Sequence, residues 1–246
     1  MKREKIHLIA TALLVFLFFF ELTAQSRQNF SFNEYNVFDK VLGVEHSELY
    51  QGQIYTQQYK SEKGKSKFYK SFDFDKGAVW YNGQAYFDKM LKYDLQKDDL
   101  LLNMEYNGVS QGVLRVVKRN VDSFLLFQKK FVNIKPKQLK ENEIEPGFYE
   151  VLYQAKDLEL YVKHRKVIKK DIEQNALKIE FAEKKKLFVI YYENNYHLID
   201  SKKSLLKLFS ESKKDIMKKY NYGQHRDPSK KEGLFTRMIK EIHNAG

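Results

Sequence analysis

The chain predicts an α+β fold: a predominantly antiparallel β-sheet (a meander, open or partial barrel) followed by two C-terminal amphipathic helices. Short hydrophobic segments follow one another with turn signals between them and no intervening helical period, which argues against a parallel α/β sheet. Two Asn-Gly dipeptides, Asn82-Gly83 and Asn107-Gly108, each lie between strand-like runs. Such loops are the strongest short-range hairpin signal. Beyond Asp200 the apolar period lengthens from two residues to that of a helix.

The first 24 residues read as an address. Lys2, Arg3 and Lys5 precede an apolar run from Ile6 through Phe20, and Leu22-Thr23-Ala24 then supplies a cleavage-like tripeptide. This is the layout of a secretory signal peptide, with cleavage expected between Ala24 and Gln25. The alternative is a retained anchor, but the run is short of the roughly 20 apolar residues that a spanning helix needs. Export to the periplasm or medium is the expectation. Residues 25–45 follow as an N-terminal segment, in which Asn33 to Leu42 suits a short helix.

Residues 46–200 are expected to form the sheet domain. Gly77 to Tyr81 and Gln84 to Asp88 make one hairpin, and Leu100 to Tyr106 with Val109 to Val117 the next. In the latter, Leu100, Leu102, Met104 and Tyr106 share one face while Asn103 and Glu105 take the other, the pattern of a strand with one buried side. Further strands are expected at Val121 to Phe127, Phe148 to Tyr153, Leu158 to Val162, Leu177 to Phe181, Leu187 to Tyr192 and Tyr196 to Ile199. The polar segment Lys135 to Pro146 holds two of the three prolines and reads as a long loop. Residues 201–246 form the helical pair packed on the sheet. Leu205, Leu208, Phe209, Ile216 and Tyr220 line one face of the first helix; Leu234, Phe235, Met238, Ile239 and Ile242 line the second. Ser229 to Glu232 fits a capping box.

The chain has no cysteine, which removes a lipobox anchor, a disulfide framework and a thiol nucleophile together. Tyr (17) and Phe (19) are abundant while Gly (11) and Pro (3) are sparse, so the chain has the means for an ordinary packed core. Its net charge of +12 makes the surface basic. Lys163, His164, Arg165, Lys166, Lys169 and Lys170 form one cluster and Lys184 to Lys186 another. Lysines beside aromatics suit nucleic acid, but export turns the expectation toward anionic envelope polymers, with plain solvated surface as the simplest account.

Catalytic signals are thin. Gly108-Val109-Ser110-Gln111-Gly112 fits the G-x-S-x-G nucleophile elbow, and His164, His197, His225 and His243 follow it. The elbow needs a strand-to-helix turn, whereas Val113 to Val117 reads as the return arm of a hairpin. Asp73 with Asp75, and Asp94 with Asp98 and Asp99, could offer oxygen ligands to a hard cation. Neither group has calcium-loop spacing, and solvated strand ends are the expectation. No cofactor is implied, no catalytic or metal-ligating residue is assigned, and the binding residues stay undefined.

Gly77 to Tyr86, Leu91 to Asp94, Asp99-Leu100 and Pro146 to Tyr153 together resemble a group of uncharacterised exported proteins from Bacteroidota. The resemblance implies a bacterial cell envelope and carries no catalytic residue. Function is therefore expected to be that of an exported, non-catalytic binding or envelope-associated protein. An apolar ligand held in a curved sheet is one possibility; a serine hydrolase using Ser110 and a basic module on anionic envelope polymers are the alternatives.

Overall fold

A computed structural model describes residues 47–59, 65–106, 109–139, 143–173, 176–209 and 228–244. The expected signal peptide, the helix at Asn33 to Leu42, the Asn107-Gly108 turn, His225 and the far half of the first C-terminal helix lie outside them.

Thirteen strands are described: β1 (Gln53–Ile54), β2 (Asp75–Tyr81), β3 (Gln84–Asp94), β4 (Asp99–Tyr106), β5 (Val109–Arg115), β6 (Val121–Leu126), β7 (Lys129–Ile134), β8 (Gly147–Gln154), β9 (Leu158–Lys163), β10 (Lys166–Glu173), β11 (Ala176–Glu183), β12 (Leu187–Tyr192) and β13 (Asn195–Ile199). Eleven of them form one open antiparallel sheet in the order β1-β5-β4-β3-β2-β6-β7-β8-β9-β12-β13. Two meanders thus run outward from the β2–β6 pair, one toward β5 and the other toward β9. Strands β10 and β11 form a separate two-stranded ribbon.

Local chemistry explains most turns. Asn82 and Gly83 both take positive φ (50° and 79°), as a two-residue hairpin turn requires. Glu193 and Asn194 do the same between β12 and β13 (49° and 60°). The described residues between the paired neighbours β7 and β8, 135–139 and 143–146, contain no strand and a single 3-10 turn at Pro136–Gln138. The turn between β6 and β7 is less transparent. Phe127 and Gln128 occupy positive φ (51° and 60°) although neither residue favours it. Partly buried Phe127 packs against the first core, including Tyr69 at 6.3 Å, and this packing holds the turn.

The sheet is covered on both sides. On one face, Val79, Leu91, Tyr93, Leu100, Leu102, Phe124, Phe131 and Phe148 build a core rich in ring contacts. Phe124 stacks on Phe131 at 4.7 Å, and both meet Tyr93 edge-on. The same face continues through β9 and β12 as a second core of Leu158, Leu160, Val162, Phe188 and Ile190. Alternate residues Tyr161 and Val189 point to the other side, where they meet Tyr149, Ile134 and Ile144. Lys92 and Asp94, opposite in parity to Tyr93, are also buried. The Lys92 ammonium sits over the rings of Phe68, Phe72 and Phe74 at 4.7, 4.8 and 4.1 Å. Burial pushes its pKa down, against the pull of Asp73.

Two helices close the second core: the short α1 (Lys202–Leu206) and the long α2 (Pro228–Asn244). Ser201 caps α1 by accepting from the Ser204 amide at 3.1 Å, while Ser204 Oγ accepts from the Ser201 amide at 3.1 Å. At α2 the expectation needs correcting. Pro228 and Ser229 are already helical, so Ser229 lies inside the helix and does not cap it. The predicted apolar face is the one that docks, with Phe235, Met238, Ile239 and Ile242 all buried and Phe235 edge-on to Phe188 at 5.0 Å. Removing one methylene there should be felt modestly. Ile239→Val is expected to cost about 1 kcal/mol in urea unfolding, because the site is closely packed and collapses little. Among the described residues no helix is long and apolar enough to cross a membrane.

Candidate functional site

The feature that organises the site is a break in a long ribbon. Strands β9 and β12 pair as far as Lys163 opposite Leu187, and β10 pairs with β11 from Lys166 opposite Glu183. Between these ladders lie two residues on one side, His164 and Arg165, and three on the other, Lys184, Lys185 and Lys186. Unequal segments cannot pair residue for residue, so the ribbon kinks there, as a bulge does. The Lys184 amide donates to the Arg165 carbonyl at 2.9 Å, and the Arg165 guanidinium reaches both the Lys185 carbonyl and Glu145 Oε1, each at 2.5 Å. The Lys166 amide donates to Leu95 O at 3.1 Å, which ties the break to the β3–β4 turn.

A cleft of about 720 Å³ opens beside the break. Its polar floor is Glu150, on β8 opposite Phe131 and Val162 and only 2% exposed. Glu150 Oε2 accepts from the Tyr69 hydroxyl at 2.9 Å and faces His164 Nε2 at 2.7 Å; Lys129 Nζ lies 3.1 Å from Oε1. Burial alone would raise the Glu150 carboxyl. The hydrogen bond and charge of His164, then Tyr69 and Lys129, outweigh it and hold the group down at about 2. The carboxylate is therefore ionised at neutral pH and only accepts, so His164 Nε2 must carry the donated proton. Burial and the neighbouring carboxylate push the Tyr69 phenol far up, keeping it a neutral donor.

Lysines dominate the rim. Lys70, Lys129, Lys166, Lys184, Lys185 and Lys186 line the cleft against only three acids, Glu150, Glu183 and Glu232. Three of the lysines are neutralised: Lys129 by Glu150, Lys166 by Glu183 at 3.3 Å, and Lys186 by Glu232 of α2 at 2.6 Å. Lys70, Lys184 and Lys185 are exposed and make no ion pair among the described residues, although the charge of Lys185 helps to lower the Asp200 carboxyl. The cleft can accordingly attract and hold negative charge.

A second buried ionic cluster lies across the β3–β4 turn and serves the fold. Asp98 accepts from the Tyr93 hydroxyl at 2.6 Å and from Lys163 at 2.9 Å, with Lys118 at 3.3 Å. Burial lowers the Lys163 ammonium even though Asp98 supports its charge. Asp94 is fully buried, 2.5 Å from the Lys67 ammonium, and its other oxygen accepts from the amides of Gln96 and Lys97 at 2.9 and 3.1 Å. Asp99 faces Arg115 and Lys118, each at 3.7 Å. The expectation of solvated acids is thus overturned for Asp94, which is fully buried, and for Asp98, which is partly buried in the turn; burial demands cationic partners. Asp73 and Asp75 flank the entry to β2, and among the described residues no three His, Asp or Glu side chains converge on a possible metal position.

Ser110 lies on β5, which continues as a strand through Arg115, so the serine is not on a strand-to-helix elbow. Its hydroxyl donates to Asn103 Oδ1 at 2.5 Å. His197 is on β13 opposite Ile190, and His243 is on α2 with its ring 5.9 Å from Tyr153. Of the two basic clusters, Lys166 and Lys184 to Lys186 do converge on one cleft. Lys163 and His164, by contrast, are buried and act as internal partners of Asp98 and Glu150. Tyr69, Lys129, Glu150 and Glu232 carry no sequence signal for the site. Tyr69 and Glu150 are 81 residues apart, and only the sheet order brings them together. The chain matches no family model, no curated protein and no solved structure.

Proposed function

We propose that this is an exported, non-catalytic protein of the cell envelope that binds an anionic ligand in the lysine-rimmed cleft. The observation that carries this is the set Lys70, Lys184 and Lys185, three exposed ammonium groups outside any ion pair around one concave site. A low-dielectric wall behind them focuses their field into the opening. The Tyr69–Glu150–His164 network supports the wall without cancelling that field, since Lys129 already faces its carboxylate. Export rests on the Lys2-to-Ala24 segment and on the resemblance to exported Bacteroidota proteins. The apolar-carrier reading has less support, because the rings that would line its cavity pack against one another instead.

Calorimetric titration of the purified protein with inorganic tripolyphosphate tests the proposal. The double variant Lys184→Glu/Lys185→Glu is expected to weaken binding about tenfold or more, since it reverses two of the three free charges, with no change in melting temperature at these exposed positions. Equal binding by the wild type and the double variant would overturn it.

A further inference from the structure

A second cleft, of about 280 Å³, lies on the other side of the same break. The two clefts share Leu95, His164, Lys166 and Lys184 as a common wall, held by the Lys166–Leu95 and Lys184–Arg165 backbone hydrogen bonds. Lys184 therefore borders both. The smaller cleft adds one further uncompensated cation, Lys97, which is exposed and has no acidic partner among the described residues. Arg165 contributes little free charge there, because Glu145 and the Lys185 carbonyl occupy its terminal nitrogens.

A single small anion would use only one of these clefts. Exposed ammonium groups outside any ion pair instead line both clefts: Lys70 and Lys185 the larger, Lys97 the smaller, and Lys184 the two together. Resting on the anion-binding reading above, we infer that the ligand is a linear polyanion, with negative charge on successive repeat units, which lies across the wall and occupies both clefts. Lysines suit such a chain because an ammonium acts as a point charge with rotatable donors and needs no fixed acceptor geometry. The rings nearest the site, Phe68 and Tyr69, are 3% and 6% exposed, so contact with the chain is ionic rather than by stacking.

The test compares chain lengths. Long-chain polyphosphate and polygalacturonate are titrated beside tripolyphosphate and digalacturonate, using wild type and Lys97→Gln. If one chain spans both clefts, the long form of at least one polymer should bind about a hundredfold tighter per chain than its short form, through raised effective concentration at the second cleft. Lys97→Gln should remove most of that gain and leave the short-form affinity and melting temperature unchanged. Which polymer shows the gain identifies the anion as phosphate or carboxylate. Short forms that bind, with no gain on lengthening or with a gain insensitive to Lys97→Gln, would overturn the inference and leave the single-cleft reading intact. Absence of binding by every short and long form would overturn both.

Discussion

Gly147→Ala is expected to cost about 4 kcal/mol. Gly147 opens β8 with φ +123°, a conformation that side chains rarely adopt. A Cβ placed there would also stand 1.9 Å from Asp98 Oδ2 and 2.7 Å from Lys163 Nζ. The carboxylate cannot step aside cheaply. The Tyr93 hydroxyl, Lys163 and Lys118 all hold it, and Lys163 is 3% exposed with burial already lowering its pKa. Moving Asp98 would strand a buried ammonium, at a cost of several kcal/mol. A double-mutant cycle isolates the contact. In an Asp98→Ala background, already destabilised by about 3–5 kcal/mol, Gly147→Ala should add only the backbone strain of about 1–3 kcal/mol. Full additivity of the two changes would refute the steric account.

Glu150→Gln should cost about 3 kcal/mol and flatten the acid limb of the stability profile. The amide cannot accept two donors on Oε2 while also facing Lys129, so at least one of Tyr69, His164 and Lys129 loses its partner. The pH dependence follows from the direction of the shift. The folded carboxyl, at about 2, lies below its ordinary value of 4.5. Its stabilisation is therefore complete above about pH 4.5 and is lost as the pH falls toward 2. A gap of that size corresponds to something on the order of 3 kcal/mol. Urea midpoints measured from pH 7 to pH 2 should show wild type and variant converging at the acid end. Parallel curves would show that Glu150 does not titrate as its surroundings require.

Strand positions were legible wherever local chemistry decided them. Asn82-Gly83 adopts positive φ at little cost, so the β2–β3 hairpin follows from two residues. Alternation placed Leu100 and Leu102 in the core, and the helical period of α2 identified its docking face. Strand β7 escaped the sequence because the Phe127-Gln128 turn has no turn formers; packing of the Phe127 ring compensates for the strained backbone. Strand β10 escaped because Lys166, Lys169 and Lys170 read as a charge cluster, when in fact they are carried on a ribbon outside the main sheet. Acids near the β3–β4 turn were legible as a group but not as buried ion pairs, since parity within a strand does not reveal what covers each face.

The amino-acid sequence by itself determined the antiparallel succession of strands, the terminal docking helix, the cysteine-free core and the two basic clusters, because propensity, period and charge act over a few residues. The tertiary structure alone decided which charges are spent and which are free. Lys163 and His164 adjoin Lys166 in the chain, yet two turn inward to Asp98 and Glu150 while the third reaches the rim and pairs with Glu183, and Lys184 and Lys185 beside it make no ion pair. That division depends on contacts between residues 14 to 81 positions apart, such as Glu150 with His164 and with Tyr69. Sheet order creates such contacts, and no local pattern encodes them.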